Sequence, residues 1–142
     1  MKSGLLLFFA LFPVVVSALE INEERVRFNY QMFCQGCHAP GGASVESSVP
    51  RMQGHVGTFL KSQRGREFLV RVPGSATSAL DDVELAEVLN WIVLEFSGPS
   101  LEGAFEPYTA AEVGKLRQQP LNEVVKHRAL VLADIADAQT RE

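Results

Sequence analysis

The pentapeptide CQGCH at residues 34–38 contains the only two cysteines of the chain. Two cysteines separated by two residues and followed by a histidine are the pattern to which a c-type haem is attached. The thiols of Cys34 and Cys37 would form thioether bonds with the haem, and His38 would give the iron one nitrogen ligand. We therefore expect one covalently bound haem c, held by the two cysteines, with His38 as the proximal iron ligand.

The residues alone leave three other roles possible for the two cysteines. A thioredoxin-type redox pair needs a βαβ context, and no such pattern lies nearby. A zinc site needs more ligands, and besides the motif the chain offers only His55 and His127. A simple disulfide would leave His38 without a role. We favour haem attachment because a second feature of the chain points the same way.

That second feature is the beginning of the chain, where residues 1–18 predict a secretory signal peptide. Lys2 gives a positive start, residues 5–16 form an apolar run broken only by Pro13, and cleavage is expected after Ala18. The run is shorter than the roughly 20 residues that span a bilayer. We expect a soluble mature chain with no spanning segment, periplasmic or secreted from a bacterium. In bacteria a c-type haem is attached outside the cytoplasm, so the signal and the motif predict the same compartment.

The charge balance limits the partners. The formal net charge is −4, and loss of Lys2 with the signal, which contains no acid, makes it −5. An acidic chain is not expected to bind nucleic acid. A redox protein that presents a basic patch fits better, either an exported dehydrogenase or a terminal acceptor.

The spacing of apolar residues predicts an all-α fold, because it repeats at helical intervals and no alternating stretch is long enough for a sheet. Asn22 and Thr109 are expected N-caps, and Thr109 with Glu112 forms a capping-box pattern. Asp81, Asp82 and Glu84 are expected to stabilise the start of helix 80–96 through the helix dipole. The second helix is expected to end near Gly65. Residues 66–72 are expected to be a short helical or extended piece. The predicted helices are 21–33, 55–64, 80–96, 110–118 and 121–138.

At this point the chain resembles a class I cytochrome c over residues 21–98. The resemblance rests on the helix that ends in the CQGCH motif, the glycine-rich loop, the segment 49–54 and the acidic start of helix 80–96. It implies that these first and last helices cross, with Tyr30 touching Trp91, Leu94 or Phe96. From the residue pattern alone, Trp91 is expected to face away from the apolar stripe of its helix. The expected domains are a signal peptide (1–18), a cytochrome c domain (19–99) and a helical C-terminal extension (100–142).

The resemblance also implies roles in the haem pocket for Pro50 and Met52. The family's proline after the loop accepts a hydrogen bond from the ligating histidine through its carbonyl, which matches Pro50 and His38. Met52 falls where the family places an apolar residue against the histidine side of the haem, and methionine commonly fills gaps in cores.

The sixth iron ligand departs from the family pattern. Family members usually carry a methionine shortly before the last helix, but residues 56–126 contain neither methionine nor histidine. His55 is the candidate for the sixth ligand, with Met52, His127 and Lys61 as further possibilities; for Met52 a packing role is favoured. A vacant site, shielded by Val72 and Pro73, is also open.

We do not expect a conventional enzyme, and three functions fit these expectations. The first hypothesis is a single-electron carrier. The second is a haem protein with an open sixth site that binds NO, CO or peroxide, with at most weak peroxidase-type activity. The third is the haem subunit of a periplasmic dehydrogenase complex, docked through the C-terminal extension.

Overall fold

The computed structural model describes residues 22–45 and 49–141, so the predicted signal peptide lies outside it. The described residues are mainly helical, as expected, and no helix among them is long and apolar enough to cross a membrane. Besides the α-helices there are 3-10 helices at Pro40–Gly42, Val56–Lys61 and Gly98–Ser100, and two paired strands, β1 (His38–Ala39) and β2 (Ala43–Ser44). The α-helices are α1 (Glu23–Phe33), α2 (Gln63–Arg71), α3 (Pro73–Ala76), α4 (Asp82–Phe96), α5 (Ala110–Leu116) and α6 (Val124–Gln139).

Helix α1 begins where the sequence predicts it. The Asn22 side chain accepts a 3.0 Å hydrogen bond from the Arg25 backbone N–H, which satisfies one of the free donors of the first turn. Val26 and Tyr30 lie one turn apart and are buried, so they form the face that packs on the core.

Helix α4 crosses α1, and the predicted aromatic contact is confirmed. The Tyr30 ring centroid lies 5.2 Å from that of Trp91 and 5.4 Å from that of Phe96. Leu94 is exposed and takes no part in this contact. The prediction that Trp91 faces away from the core is wrong, because α1 covers that side of α4 and buries the indole. At its start, α4 has a capping box between Asp81 and Glu84.

The predicted end of the second helix, near Gly65, is wrong. The chain forms the 3-10 helix Val56–Lys61, turns at Ser62, and continues as α2 to Arg71. Gly65 is in the first turn of α2, where its N–H donates to Ser62 Oγ at 3.0 Å. A Cβ on Gly65 would collide with the backbone carbonyl oxygen of Phe59. The glycine is therefore required for close packing between two helices and does not end one.

The C-terminal region packs against the preceding helices. Helix α5 lies on α4 and α2, and α6 lies on α2 and the 3-10 helix 56–61. Tyr108 and Val113 belong to the same buried cluster as Tyr30 and Trp91. A second cluster joins α6 to α2 and its neighbours through Phe59, Phe68, Leu121, Val131 and Ile135.

A partly buried ion pair strengthens this attachment. The Arg66 guanidinium makes two hydrogen bonds of 2.7 Å to the Glu112 carboxylate. Its carbon lies 4.0 Å from the Tyr108 ring centroid, over the ring. The Glu112 bond holds the pKa of Arg66 above its usual value. Helix α2 and the 106–112 segment are thus joined by a charge-assisted pair with fixed geometry.

Candidate haem attachment site

The CQGCH motif forms a tight turn directly after α1. Cys34 follows the last residue of the helix, and its N–H donates to Tyr30 O at 2.9 Å. The Cys37 and His38 N–H groups both donate to Cys34 O, at 3.2 and 2.9 Å. One turn therefore carries both thiols and the imidazole, and the helix end fixes its position.

Tyr30 also fixes the chain as it leaves the motif. Its hydroxyl donates to His38 O at 2.9 Å and to Ala39 O at 3.0 Å. Directly after the motif the chain folds back, with His38 paired to Ser44 and Ala39 to Ala43. The side chain at the α1–α4 crossing thus holds the backbone of the predicted iron ligand.

The two cysteines are unpaired and are available for thioether bonds. Cys37 is exposed, and Cys34 is half-buried. Burial, followed by the nearby Cys37, raises the pKa of the Cys34 thiol to about 11, so it is a neutral thiol at neutral pH.

His38 has the properties of a ligand that lacks its partner. Its Nδ1 atom is buried and makes no hydrogen bond in the described structure. Burial lowers the pKa of the imidazole, so the neutral form that binds metals is favoured. These features fit a haem whose iron takes one nitrogen of His38. The hydrogen bond expected from His38 to the Pro50 carbonyl is not made among the described residues, where Pro50 is exposed, so its role stays a prediction.

The segment after the glycine-rich loop packs against that loop and the end of α4. Met52 N–H donates to Gly42 O at 2.8 Å, and Gly54 N–H donates to Phe96 O at 2.7 Å. A Cβ on Gly42 would lie 2.9 Å from the Phe96 ring, so only glycine fits at this crossing. Met52 is half-buried against the main core cluster, in line with a packing role.

The candidate sixth ligands are dispersed and have other contacts. The exposed His55 places its Nε2 3.2 Å from Arg51 Nη2. Lys61 Nζ lies 2.6 Å from Glu102 Oε1. His127 is half-buried on α6. The identity of the sixth ligand stays a prediction.

Two arginines join the C-terminal region to the end of α2 and to the segment between α2 and α4. Arg71 Nε donates to Gln119 O at 2.8 Å. Arg117 donates to Ala76 O, Leu80 O and Ser78 O at 3.2, 2.8 and 2.5 Å, and also contacts Asp82 at 3.1 Å. Sequence reasoning missed Arg117, because nothing in the pattern around it indicates which distant carbonyls it reaches.

Two comparisons bear on this site. No family model matches the chain. Two proteins named cytochrome c-552 from Thermus thermophilus are each 33% identical to it over 106 residues. The match covers 62% of this chain and 81% and 72% of the two relatives. Within residues 22–45 and 49–141 no group of three or more His, Cys, Asp and Glu side chains forms a metal site.

Proposed function

Because this chain belongs to the c-type cytochromes, we propose that it is an exported carrier of single electrons with one haem. Membership in the family makes it an electron-transfer protein with covalently bound haem c. We further propose that it binds one haem and is exported. We also propose that it passes electrons from an exported dehydrogenase to an acceptor. The single CQGCH motif in the chain supports the haem count.

The observation that carries the proposal is the geometry of the motif. Two unpaired thiols and an imidazole with an unbonded, buried nitrogen share one turn at the end of α1. The neutral imidazole, which burial of His38 favours, is the form that binds metals. A disulfide or a redox dithiol would not call for the third residue of this set, His38.

In this proposal, each residue has one task. Cys34 and Cys37 would hold the haem, and His38 would bind its iron. When bound, the haem supplies an iron that takes up and releases one electron. Tyr30 limits movement of His38 through the hydrogen bond to its carbonyl, and a ligand that moves little between redox states favours fast electron exchange.

A second candidate function follows from the sixth ligand. Residues 66–80 contain no methionine or histidine. The nearest histidine, His55, contacts Arg51, and Lys61 is ion-paired, so either would have to give up a contact to bind iron. A vacant sixth position would allow a small ligand such as NO, CO or peroxide to bind.

The visible spectrum of the holoprotein separates the two functions. It is recorded oxidised and reduced, with and without CO. A low-spin spectrum that CO leaves unchanged supports the electron carrier, and His55→Ala and His127→Ala variants then identify which histidine, if either, is the sixth ligand. A high-spin spectrum that shifts with CO overturns the six-coordinate carrier and favours the ligand-binding function.

A further inference from the structure

Three aromatic rings pack together where α1 crosses α4. The ring centroids of Tyr30, Trp91 and Phe96 lie 5.2 to 5.4 Å apart in all three pairs. These are the distances of aromatic rings in direct contact. Tyrosine and tryptophan are the aromatic side chains that give up an electron to a strong oxidant, and phenylalanine resists this oxidation. The cluster therefore holds two oxidisable rings, Tyr30 and Trp91, against each other.

One end of this cluster is bonded to the haem attachment motif. The Tyr30 hydroxyl donates to the backbone oxygen of His38, the predicted iron ligand, at 2.9 Å. The route from the His38 imidazole to the Trp91 indole thus consists of the covalent bonds of His38, one hydrogen bond, the Tyr30 side chain and one ring contact. A route of bonds and close contacts conducts an electron better than an empty gap of the same length.

The other end of the cluster lies just below the surface. Trp91 is 8% exposed, and the Arg27 guanidinium carbon lies over its ring, 5.6 Å from the centroid. In the part of the chain that the structure describes, no residue accepts a hydrogen bond from the indole N–H, and this atom is not one of the buried polar atoms without a partner. The indole N–H therefore reaches solvent, where its proton can leave. An oxidised indole that has lost this proton is neutral, so the charge of Arg27 does not oppose its formation.

We propose that Trp91 supplies an electron when peroxide is reduced at the haem, and that Tyr30 connects Trp91 to the attachment motif. This inference rests on the second candidate function, in which the sixth iron position is open to peroxide. It adds to that function a residue that takes part in the reaction. The role is protective, because the electron is taken from an indole near the surface and not from the haem or from His38.

The reaction balances for one reduced protein and one molecule of hydrogen peroxide. The O–O bond breaks and two molecules of water form, which requires two electrons and two protons. One electron comes from ferrous iron, which becomes ferric, and the other comes from Trp91. Trp91 also releases its N–H proton, and solvent supplies the second proton. The protein is left with ferric iron and a neutral radical on Trp91.

The contacts of the two tyrosines indicate that the oxidation ends on Trp91. The Tyr30 hydroxyl donates to the backbone oxygens of His38 and Ala39, which are too weakly basic to take the proton that an oxidised phenol must lose. Tyr108, the other tyrosine, packs against Phe105, and its hydroxyl donates to Arg66 O. Among the described residues no ring contact joins Tyr108 to Tyr30 or Trp91, so Tyr108 is the matched control.

The test mixes reduced holoprotein with one equivalent of hydrogen peroxide, in the absence of oxygen and in the presence of a radical trap. The visible spectrum follows the iron, and mass spectrometry of the digested protein locates the trapped radical. We expect the trap on Trp91. Excess imidazole, which occupies an open iron position, should abolish this adduct, because the electron is then no longer demanded at the haem.

Three phenylalanine variants test the route. Tyr30→Phe keeps the ring and removes the hydrogen bond to His38, so the yield of the Trp91 adduct should fall below half of the wild-type yield. Trp91→Phe should lose the adduct, and repeated additions of peroxide should bleach its haem absorbance faster than that of the wild type. Tyr108→Phe should change neither the yield nor the bleaching. A structural role of Tyr30 alone would leave the adduct yield of Tyr30→Phe unchanged.

The outcomes keep this inference apart from the function on which it rests. A reduced spectrum that peroxide leaves unchanged overturns both, because the sixth position is then closed. A change to the ferric spectrum with the trap on Tyr108, or with a Trp91 adduct that imidazole does not reduce, overturns the inference and leaves the open site standing. If a variant does not fold, the position of the trap in the wild-type protein still decides the inference.

Discussion

The side chain of Asn90 on α4 pairs with both backbone polar groups of Tyr108. Asn90 Nδ2 donates to Tyr108 O at 3.0 Å, and Tyr108 N donates to Asn90 Oδ1 at 2.7 Å. Both residues are buried. The Asn90 amide thus pairs with the Tyr108 backbone as a neighbouring strand would, and it joins the chain before α5 to α4.

We expect Asn90→Ala to lower the free energy of unfolding by about 2–4 kcal/mol, because it leaves two buried backbone groups without partners. Urea unfolding of the holoprotein, followed by circular dichroism, measures the change. The matched control is the exposed Asn122→Ala, which should stay within about 0.5 kcal/mol of the wild type. Equal effects of the two variants would contradict a structural role for the Asn90 pair.

Two adjacent glycines provide a second test. Both have positive φ, 75° at Gly41 and 71° at Gly42. A Cβ on Gly41 would meet nothing within 4 Å, whereas one on Gly42 would press on Phe96. Gly41→Ala should destabilise by about 1–2 kcal/mol from backbone strain alone, and Gly42→Ala by a further 1–3 kcal/mol, roughly, from overpacking. Thermal unfolding of both variants checks this order, and its reversal would refute the close crossing of loop and helix.

Tyr108 should make stability depend on alkaline pH. Its hydroxyl is largely buried and donates to Arg66 O at 2.8 Å, and burial raises its pKa. The unfolded chain therefore releases the phenol proton first. Stability is full below about pH 10, the usual tyrosine pKa, and falls above it at up to ~1.4 kcal/mol per pH unit.

Tyr108→Phe removes the phenol and with it the part of the pH dependence of stability that the phenol causes. In alkaline solution its free energy of unfolding should fall less steeply with pH than that of the wild type, even though the loss of the hydrogen bond lowers its stability at neutral pH. Urea titrations at several pH values compare the two slopes. Parallel slopes would show that the Tyr108 hydroxyl titrates similarly in the folded and unfolded chains.

Arg117 should organise the turn before α4. Replacing it with alanine removes its bonds to three carbonyls, so amide hydrogens of residues 75–81 should exchange faster, and stability should fall by about 2–3 kcal/mol. Arg117→Lys should recover only part of the loss, because an ammonium cannot reproduce the planar fork. Hydrogen exchange that is unchanged across this segment in Arg117→Ala would exclude the role.

Much of the helical framework follows from local signals in the sequence. Asn22 and Thr109 cap α1 and α5 as predicted, because a cap acts on a backbone N–H only a few residues away. The acidic start of α4 was expected to act through the helix dipole, and the structure shows that Asp81 also caps this helix. The contact of Tyr30 with Trp91 and Phe96 was reached through the family resemblance. A local pattern alone would not have found it, since it predicted the wrong side for Trp91.

The errors and omissions share a physical origin, which is contact between distant parts of the chain. Gly65 resembles a helix end, but the nearby carbonyl of Phe59 determines its role. The Arg66–Glu112 pair and the Arg117 contacts join residues far apart in sequence, and no spacing rule indicates them. The motif was predictable, because attachment to haem requires its residues to be neighbours.

The most direct test of the central claim is the intact mass of the purified protein under denaturing conditions, after expression with a bacterial haem-attachment system. We predict a mass that exceeds the mature chain by one haem, located by proteolysis to the peptide containing Cys34 and Cys37. The Cys34→Ala, Cys37→Ala double variant should lose it. A wild-type protein without added mass, or with haem that acidified solvent extracts, would contradict the claim.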